Sequence, residues 1–442
     1  MFIERSVSRI RCMRTLFVLL AILPCAGLCG WVAVRQSVAY REAIERRCER
    51  VIGLPLRIGR IEHVRPHALR LHDCRLSSAT GSVVLAVPVI EVESSASEVR
   101  LKLESLHCGP EQARVLAGLA TQWLRQPVRF PMNCVIDVDD LSWRMRSQPA
   151  SGPGRSIRSN GLRVECVAAN SSRAVRVRRE AGAGLAADEI RVMVGPTEAV
   201  AGLAAEPAGR LEVTCSLAEP LPLAVIESVA GLEPGTWALG EDACASGAIQ
   251  AVFEGGLFRG SAQAHIERID LATASIQLPH RVSGEAMLMV DRLEWSRSRV
   301  TACECRGAVS RGRVGQPLLD SLVKALGCRP GPAYRSLVRD EVRSFDEASC
   351  VVRIDGRGID LRADPTRSGS LARTQGLSIL EEPAAAVPLE RLAWLLSPPE
   401  APAVPASRAT AWLLGCFSID GKVDSPAVPP AQAGRPVQRS EF

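Results

Sequence analysis

Three histidines and a cysteine near the start of the chain come closest to the pattern of a metal site. His63, His67, His72 and Cys74 lie close together in sequence, and imidazole and thiolate are ligands that zinc prefers. His63 and His67 flank an Arg-Pro pair, however, and proline interrupts the regular geometry that would bring both rings to one face. We therefore favour turn and surface histidines over a metal centre, and we predict no metal site.

Two other groups could carry chemistry. Cys303 and Cys305 would share one face of a strand, where they could hold a metal, form a strained disulfide or, as we favour, pack as inward residues. Asp137, Asp139 and Asp140 resemble a catalytic acid pair, but carboxylates exposed on a strand explain them without catalysis. The sequence contains no Gly-x-Ser-x-Gly, Walker loop or HExxH motif. We predict no catalytic residues, no cofactor and no enzymatic activity.

The most informative stretch for placing the chain is an apolar run at residues 15–34, TLFVLLAILPCAGLCGWVAV. About 20 such residues in a helix cross a hydrocarbon core of roughly 30 Å. Arginines precede the run and favour a cytoplasmic N-terminus; they are Arg5, Arg9, Arg11 and Arg14. Others follow it and weaken this asymmetry; they are Arg35, Arg41, Arg46 and Arg47. The alternative is a signal peptide cleaved near Ser37 and Ala39, although the run exceeds the roughly 7 to 15 residues of a signal core.

Composition limits what the rest of the chain can be. The 442 residues carry a net charge of +6, and only 4% are aromatic. Because no dense basic block is interleaved with aromatics, nucleic acid is a poor candidate partner. The fifteen cysteines include no CxxC pair, so a zinc ribbon is not indicated. Outside the cytosol some could form disulfides, while buried free thiols are the alternative.

Alternating apolar residues predict a chain made mainly of strands. The clearest strand is residues 210–217, with Leu211, Val213, Cys215 and Leu217 on one side. Short helices are predicted at 38–52, 110–124, 223–230 and 317–326, the first ending at Gly53 and the last at Gly327. A Gly255-Gly256 turn predicts a hairpin, and residues 147–160 are predicted to be a loop.

The order of these segments resembles a known family. The membrane helix, the short amphipathic helix and the segments GLPLRIGRIEHV, RPHALRLHDCRLSS and VIEVE resemble the opening of the AsmA-like proteins of double-membrane bacteria, the group that includes TamB and YhdP. Further along, ASGAIQAVFEGGLFRGSAQAHIERIDLA and FDEASCVVRIDGRGIDLRAD are similar to hairpin units of that family. The resemblance covers about residues 10–108 and 215–426. It implies an inner-membrane, single-pass protein with the bulk of the chain in the periplasm.

The predicted fold is mainly β with a few short helices, in which an N-terminal transmembrane helix is followed by an elongated, twisted antiparallel β-sheet groove. Five regions are expected: 1–35, cytoplasmic tip and anchor; 36–150, AsmA-like helix and strands; 151–215, middle strands and loops; 216–396, AsmA C-terminal-like strands and helices; and 397–442, Pro-rich linker, last strand at 412–423 and disordered tail. The apolar residues predicted to line the groove are Leu69, Leu71, Leu101, Leu103, Leu211, Val213, Leu217, Ile249, Phe253, Ile266, Leu288 and Val290.

Three functions are compatible with this prediction. The first is lipid handling, transport or envelope assembly, because an uncovered apolar sheet face can shelter acyl chains at about 0.8 kcal/mol per buried methylene. The resemblance implies phospholipid or another envelope lipid as the ligand, with envelope proteins as possible partners. The second is an anchored protein-interaction scaffold without lipid cargo, which would pair through open sheet edges. The third, an extracytoplasmic enzyme, would require Asp137, Asp140 and His63 to meet in a pocket.

Overall fold

A single long helix begins the computed structural model. Its helical segments are α1 (Val7–Phe17), a π-helical turn (Val18–Ile22) and α2 (Leu23–Gln36). In the turn, the Leu23 N–H bonds to the Val18 carbonyl, five residues back. Pro24 follows at once and has no N–H to donate, which accounts for a local widening of the helix here. The stretch Arg11–Gln36 is long and apolar enough to span a membrane, and an 18-residue window within it has a mean hydropathy of 2.3.

The chain turns at Ser37 into the amphipathic helix α3 (Val38–Ile52). Ser37 caps α3 by accepting a hydrogen bond from the Tyr40 N–H, and Gly53 ends it in the left-handed conformation that glycine tolerates, at φ 81°. The buried Glu45 carboxylate accepts a hydrogen bond from the Ile58 N–H at 2.8 Å. This contact joins the helix to the first strands of the sheet.

Twenty strands follow, and the structure describes residues 7–65, 67–78, 81–125, 132–144, 156–169, 172–179, 187–195, 209–232, 235–278, 280–297, 299–334, 342–367, 369–395, 411 and 415–417. The first nine strands are β1 (Leu56–Arg57), β2 (Arg60–Arg65), β3 (Ala68–Ser77), β4 (Val83–Ser94), β5 (Glu98–Cys108), β6 (Asn133–Arg144), β7 (Ser156–Ala169), β8 (Ser172–Arg179) and β9 (Asp188–Gly195). The others are β10 (Arg210–Pro222), β11 (Cys244–Glu254), β12 (Leu257–Asp270), β13 (Val282–Ser296), β14 (Arg299–Gly315), β15 (Arg329–Pro330), β16 (Val342–Phe345), β17 (Glu347–Asp355), β18 (Gly358–Arg362), β19 (Ala372–Thr374) and β20 (Leu377–Glu381).

Helices interrupt this succession of strands at five places. They are α4 (Pro110–Arg125), α5 (Leu223–Val229), α6 (Leu271–Ala274), α7 (Gln316–Leu326) and α8 (Arg391–Leu395). The predicted short helices are confirmed, including the cap at Gly327 with φ 70°. A short 3-10 turn, Ser275–Gln277, follows α6.

All the strands belong to one large twisted sheet that does not close on itself. From β3 to β14 each strand pairs with the next along the chain, and every pair is antiparallel except β5 with β6. That pair is parallel because α4 carries the chain back across the sheet before β6 begins. The predicted mainly β, twisted and open sheet is confirmed, with one parallel pair in an otherwise antiparallel order.

One face of this sheet is apolar across its width. A row of directly paired residues, each on the next strand, contains aliphatic side chains and thiols only: Leu69, Val92, Leu101, Ile136, Val164, Val177, Ile190, Cys215, Ile249, Ala262, Leu293, Cys303, Ile354 and Ile359. At about 4.8 Å per strand, this row extends roughly 60 Å along the sheet. We call the side of the sheet that carries it the inner face.

The opposite side, the outer face, is charged. The row one residue away reads Arg70, Glu91, Lys102, Asp137, Arg163, Arg178 and Glu189. Several of these pair directly, such as Arg70 with Glu91 at 2.5 Å and Arg178 with Glu189 at 3.2 Å. Since successive side chains on a strand point to opposite faces, the sequence alternation has given the sheet one apolar and one charged side.

Packed cores form at the two ends of the inner face. At the N-terminal end α4 contacts β4, β5, β8 and β9, and its Trp123 and Leu124 cluster with Cys166 and Val175. At the C-terminal end α7 contacts β14 and α8, and Leu319 is buried with Ile379 and Leu380. Helices thus cover the inner face near both ends of the sheet.

The middle strands depend on buried carboxylates at their ends. Asp188, which begins β9, pairs with Arg179 and accepts a hydrogen bond from the Ala218 N–H at 2.6 Å. Glu227 in α5 is 2% exposed and accepts hydrogen bonds from the Gly235 and Trp237 N–H groups at 2.6 and 2.7 Å. These contacts join the ends of β8, β9 and β10, and they hold residues 235–237 against α5.

One loop prediction is corrected, and part of the tail cannot be compared with its prediction. Residues 156–160, predicted as loop, begin β7, because they pair with residues 140–144 of β6 and backbone pairing overrides their weak strand pattern. Residues 145–155 lie outside the described part. In the predicted last strand at 412–423 the described residues are 415–417; residues 415–416 are helical, contrary to the prediction, and Phe417 forms an isolated bridge with Val300. The sheet is continuous from β6 to β7 and from β10 to β11; the five predicted regions stay predictions.

Candidate functional site: an uncovered apolar trough

The inner face is uncovered between the two packed ends. Among the described residues, the main helix contacts of β10 to β13 are with α5 and α6, each joined directly to the end of a strand. Ile249 and Phe253 on β11 are 42% and 44% exposed, and Phe258 on β12 is 38% exposed. We call the inner face of β10 to β13 the trough; its side chains include Leu211, Val213, Cys215, Ile249, Phe253, Phe258, Ala262, Leu293 and Trp295.

Aromatic side chains concentrate at one end of the trough. Phe253 and Phe258 lie directly opposite each other beside the Gly255-Gly256 turn, and the rings of Phe258 and Trp295 are 5.7 Å apart. Gly260 allows this arrangement, because a β-carbon there would collide with the Trp295 indole. The Trp295 ring therefore lies close against the backbone at Gly260. Together these rings form an apolar floor at this end of the trough.

All twelve predicted groove residues lie on the inner face, but they differ in access. Leu71 and Leu103 are 7% and 6% exposed and belong to the N-terminal core. They are therefore packing residues, not accessible groove positions. Leu69 and Leu101 pack against that same core. The half-buried residues of the middle strands are Leu211, Val213, Leu217, Ile266, Leu288 and Val290, and Ile249 and Phe253 are exposed.

Sequence reasoning missed Phe258, Leu293 and Trp295. Phe258 could have been found, because a two-residue turn at Gly255-Gly256 places residue 258 opposite Phe253. The sequence could not assign Leu293 and Trp295 to the trough in the same way. The register of β12 with β13 shifts between Ala262 and Ala264, and no local sequence signal fixes the position of such a bulge.

The residues considered for metal binding and acid catalysis are divided between the two faces. His63 pairs with Leu69 on the inner face, while His72 lies on the outer face with its Nε2 3.2 Å from Glu62 Oε2. Asp137 also lies on the outer face, where Arg163 is 3.7 Å away. The sheet thus separates Asp137 from His63. The part of the chain that the structure describes contains no cluster of three or more possible metal ligands.

Cys303 and Cys305 do share the inner face, as the strand period predicts. The hydrogen bond between the two thiols lowers the pKa of Cys303 and raises that of Cys305. In the trough, burial and then the nearby Asp188 charge raise the pKa of Cys215. All fifteen cysteines are free thiols in the structure.

Comparisons with known proteins add no relative. Neither the models of known protein families, nor the curated proteins, nor the solved structures contain a match to this chain. The trough and the apolar N-terminal helix are therefore the features from which a function can be inferred.

Proposed function

We propose that this chain is a membrane-anchored, AsmA-like lipid-handling protein whose trough shelters acyl chains in transport or in assembly and homeostasis of the cell envelope. The observation that carries the proposal is the unbroken apolar row on the inner face, uncovered over β10 to β13. Monomeric soluble proteins rarely leave a large contiguous apolar surface open to water. A ligand or partner that covers this surface is therefore expected.

Hydrocarbon suits the trough better than a polar ligand. Its floor combines aliphatic and aromatic side chains. Its long axis runs across neighbouring strands, from one paired residue to the next. Each methylene transferred from water to such a surface is stabilised by about 0.8 kcal/mol. An acyl chain is long, flexible and featureless, so it requires shape and apolar area and no precisely placed polar partner.

The apolar N-terminal helix and its flanking arginines suggest how the chain is oriented in the membrane. The four arginines before the apolar helix favour a cytoplasmic N-terminus, so the sheet would lie on the far side of the inner membrane, in the periplasm. In this orientation the end of β2 would lie close to the bilayer surface, because Tyr40, at the start of α3, contacts His63 on β2. No catalytic step is part of the proposed function.

A comparison of two charge-introducing variants tests the proposal. Ile249→Asp with Phe253→Asp places carboxylates in the trough, whereas Gln250→Asp places one on the outer face of the same strand. We expect the trough variant, purified as the full chain in detergent, to retain less phospholipid per protein by mass spectrometry than the wild type or Gln250→Asp. Lipid bound around the membrane helix is common to all three and cancels. Equal phospholipid in all three proteins would rule out the lipid function, and a stoichiometric protein partner instead would favour the scaffold.

A further inference from the structure

A cleft lies where the membrane helix meets the first strands of the sheet. Its volume is about 550 Å³, and its lining includes Arg35, Tyr40, His63, His67, Leu69 and Val92. Arg35 is the penultimate residue of α2, so the cleft lies close to the level at which a membrane surface would end. The Tyr40 hydroxyl is 3.4 Å from His63 Nε2, which holds the imidazole at the wall of the cleft.

The cleft is basic on one side. None of the described lining residues is a carboxylate, and within the described chain no carboxylate lies at ion-pair distance from Arg35. Its guanidinium lies instead over the Trp31 ring, 3.9 Å from the centroid. Burial lowers the pKa of His63, and the positive charge of Arg35 lowers it further. Both side chains line the same cleft.

The neighbouring cleft on α3 has a different charge balance from the cleft beside Arg35. It is lined by three arginines, Arg41, Arg57 and Arg75, and by three carboxylates, Glu42, Glu45 and Asp73. There the arginines have partners of opposite charge nearby, and Arg57 pairs with Glu45 at 3.5 Å. The cleft beside Arg35 is of similar size, but its guanidinium has no carboxylate among the described lining residues, so the charge of this cleft complements an anion.

The apolar side of the cleft continues into the inner face. His63 lies directly opposite Leu69, Leu69 opposite Val92, and Val92 opposite Leu101. A molecule with its charge at Arg35 and His63 would therefore have its remaining length over the first residues of the apolar row. This change from cationic to apolar lining is the pattern that an amphiphile with an anionic head requires.

We propose that the cleft binds the phosphate-bearing headgroup of an anionic phospholipid, with the acyl chains directed along Leu69 and Val92. This inference rests on the proposed lipid function and names its ligand class. The planar guanidinium of Arg35 can donate two parallel hydrogen bonds to phosphate oxygens, and the hydrogen-bonded Tyr40–His63 pair can donate one more, from the Tyr40 hydroxyl or from His63 Nδ1. The ammonium of a zwitterionic headgroup would find no carboxylate among the described lining residues, so an anionic headgroup is favoured.

The test measures headgroup selectivity in the full chain. Phosphatidylglycerol and phosphatidylcholine with the same fluorescent acyl chain are titrated into wild type in maltoside micelles, and we expect phosphatidylglycerol to bind about tenfold more tightly. Arg35→Gln should abolish that ratio. Arg41→Gln removes the same charge six residues further on, where the side chain donates to the Gly59 carbonyl, and should keep it. If Arg35→Gln fails to insert, His63→Gln with Tyr40→Phe should lower the ratio instead.

The outcomes separate this inference from the proposed function. Tight binding of both lipids without headgroup preference, or a ratio unchanged in Arg35→Gln, would overturn the headgroup site and leave the trough intact. No binding of either lipid would overturn both. Glycerol 3-phosphate should fail to compete at millimolar concentration, because it has no acyl chains; full competition would mean a site for free phosphate esters and would contradict the lipid assignment.

Discussion

The N-terminal and middle strands have the same alternating pattern, but only the former have a covered inner face. Leu103 on β5 and Val213 on β10 both lie on the inner face, yet α4 packs over the first region while Ile249 and Phe253 beside Val213 stay exposed. The alternation therefore specifies which side of the sheet is apolar. The position of the helices decides which part of that side is a core and which part stays exposed.

The largest contrast should come from equivalent truncations in a covered and an uncovered region. Ile379 is fully buried in the C-terminal core, whereas Ile249 is 42% exposed. We expect Ile379→Ala to lower the free energy of unfolding by about 2 to 5 kcal/mol through cavity formation. Ile249→Ala should cost less than about 1 kcal/mol, because little buried contact is lost. Urea unfolding of the full chain in detergent micelles checks both, and equal losses would mean that the trough is packed.

The middle region should instead be sensitive to its buried carboxylates. Glu227→Ala removes the acceptor for the Gly235 and Trp237 N–H groups, and we expect a loss of about 1.5 to 3 kcal/mol of unfolding free energy. Glu241→Ala, in the exposed loop nearby, is the matched control and should change little. If the two variants unfold alike, the carboxylate contacts do not stabilise the middle strands.

Cysteine reactivity offers a chemical measure of the same contrast. Alkylation requires the thiolate, and burial raises the pKa of Cys166 to about 12 and also raises that of Cys215. Labelling of both should therefore accelerate as pH rises from 7 to 9. Cys215 in the trough should react faster than the covered Cys166, and added phospholipid should slow it about tenfold, a change of 1.4 kcal/mol. Peptide mass mapping after iodoacetamide treatment reports each site, and lipid-independent labelling of Cys215 would argue against an occupied trough.

The smallest effect is expected on the outer face. Arg353 and Glu304 form an ion pair at 2.7 Å with both side chains partly exposed. Arg353→Gln should change the unfolding free energy by less than about 1 kcal/mol, since solvent screens surface pairs, and should leave lipid retention unchanged. A loss of lipid in this variant would show that the outer face takes part in binding.

The sequence was sufficient for the parts of this account that depend on local periodicity. The alternation of Leu211, Val213 and Cys215 predicts their common face, and the Gly255-Gly256 turn predicts the hairpin that places Phe253 at its end. Helix ends were also readable, since Gly53 and Gly327 are residues that tolerate the left-handed conformation.

Other features depend on contacts that local sequence does not encode. The return of α4 across the sheet makes β5 and β6 parallel and buries Leu71 and Leu103, and this required knowing which distant segments meet. The cleft beside Arg35 depends on the angle between α2 and α3 and on the register of β2 with β3. Periodicity predicted the apolar face of the sheet, but it could not predict which part of that face the helices cover.

Photocrosslinking at two adjacent positions of β11 tests whether phospholipid occupies the trough. Ile249→p-benzoylphenylalanine places the reactive ketone in the trough, and Gln250→p-benzoylphenylalanine places it on the outer face. After illumination of cells that contain the full chain, mass spectrometry should detect phospholipid adducts at position 249 and none at position 250. Protein adducts alone at position 249, or equal lipid labelling at both positions, would contradict the account.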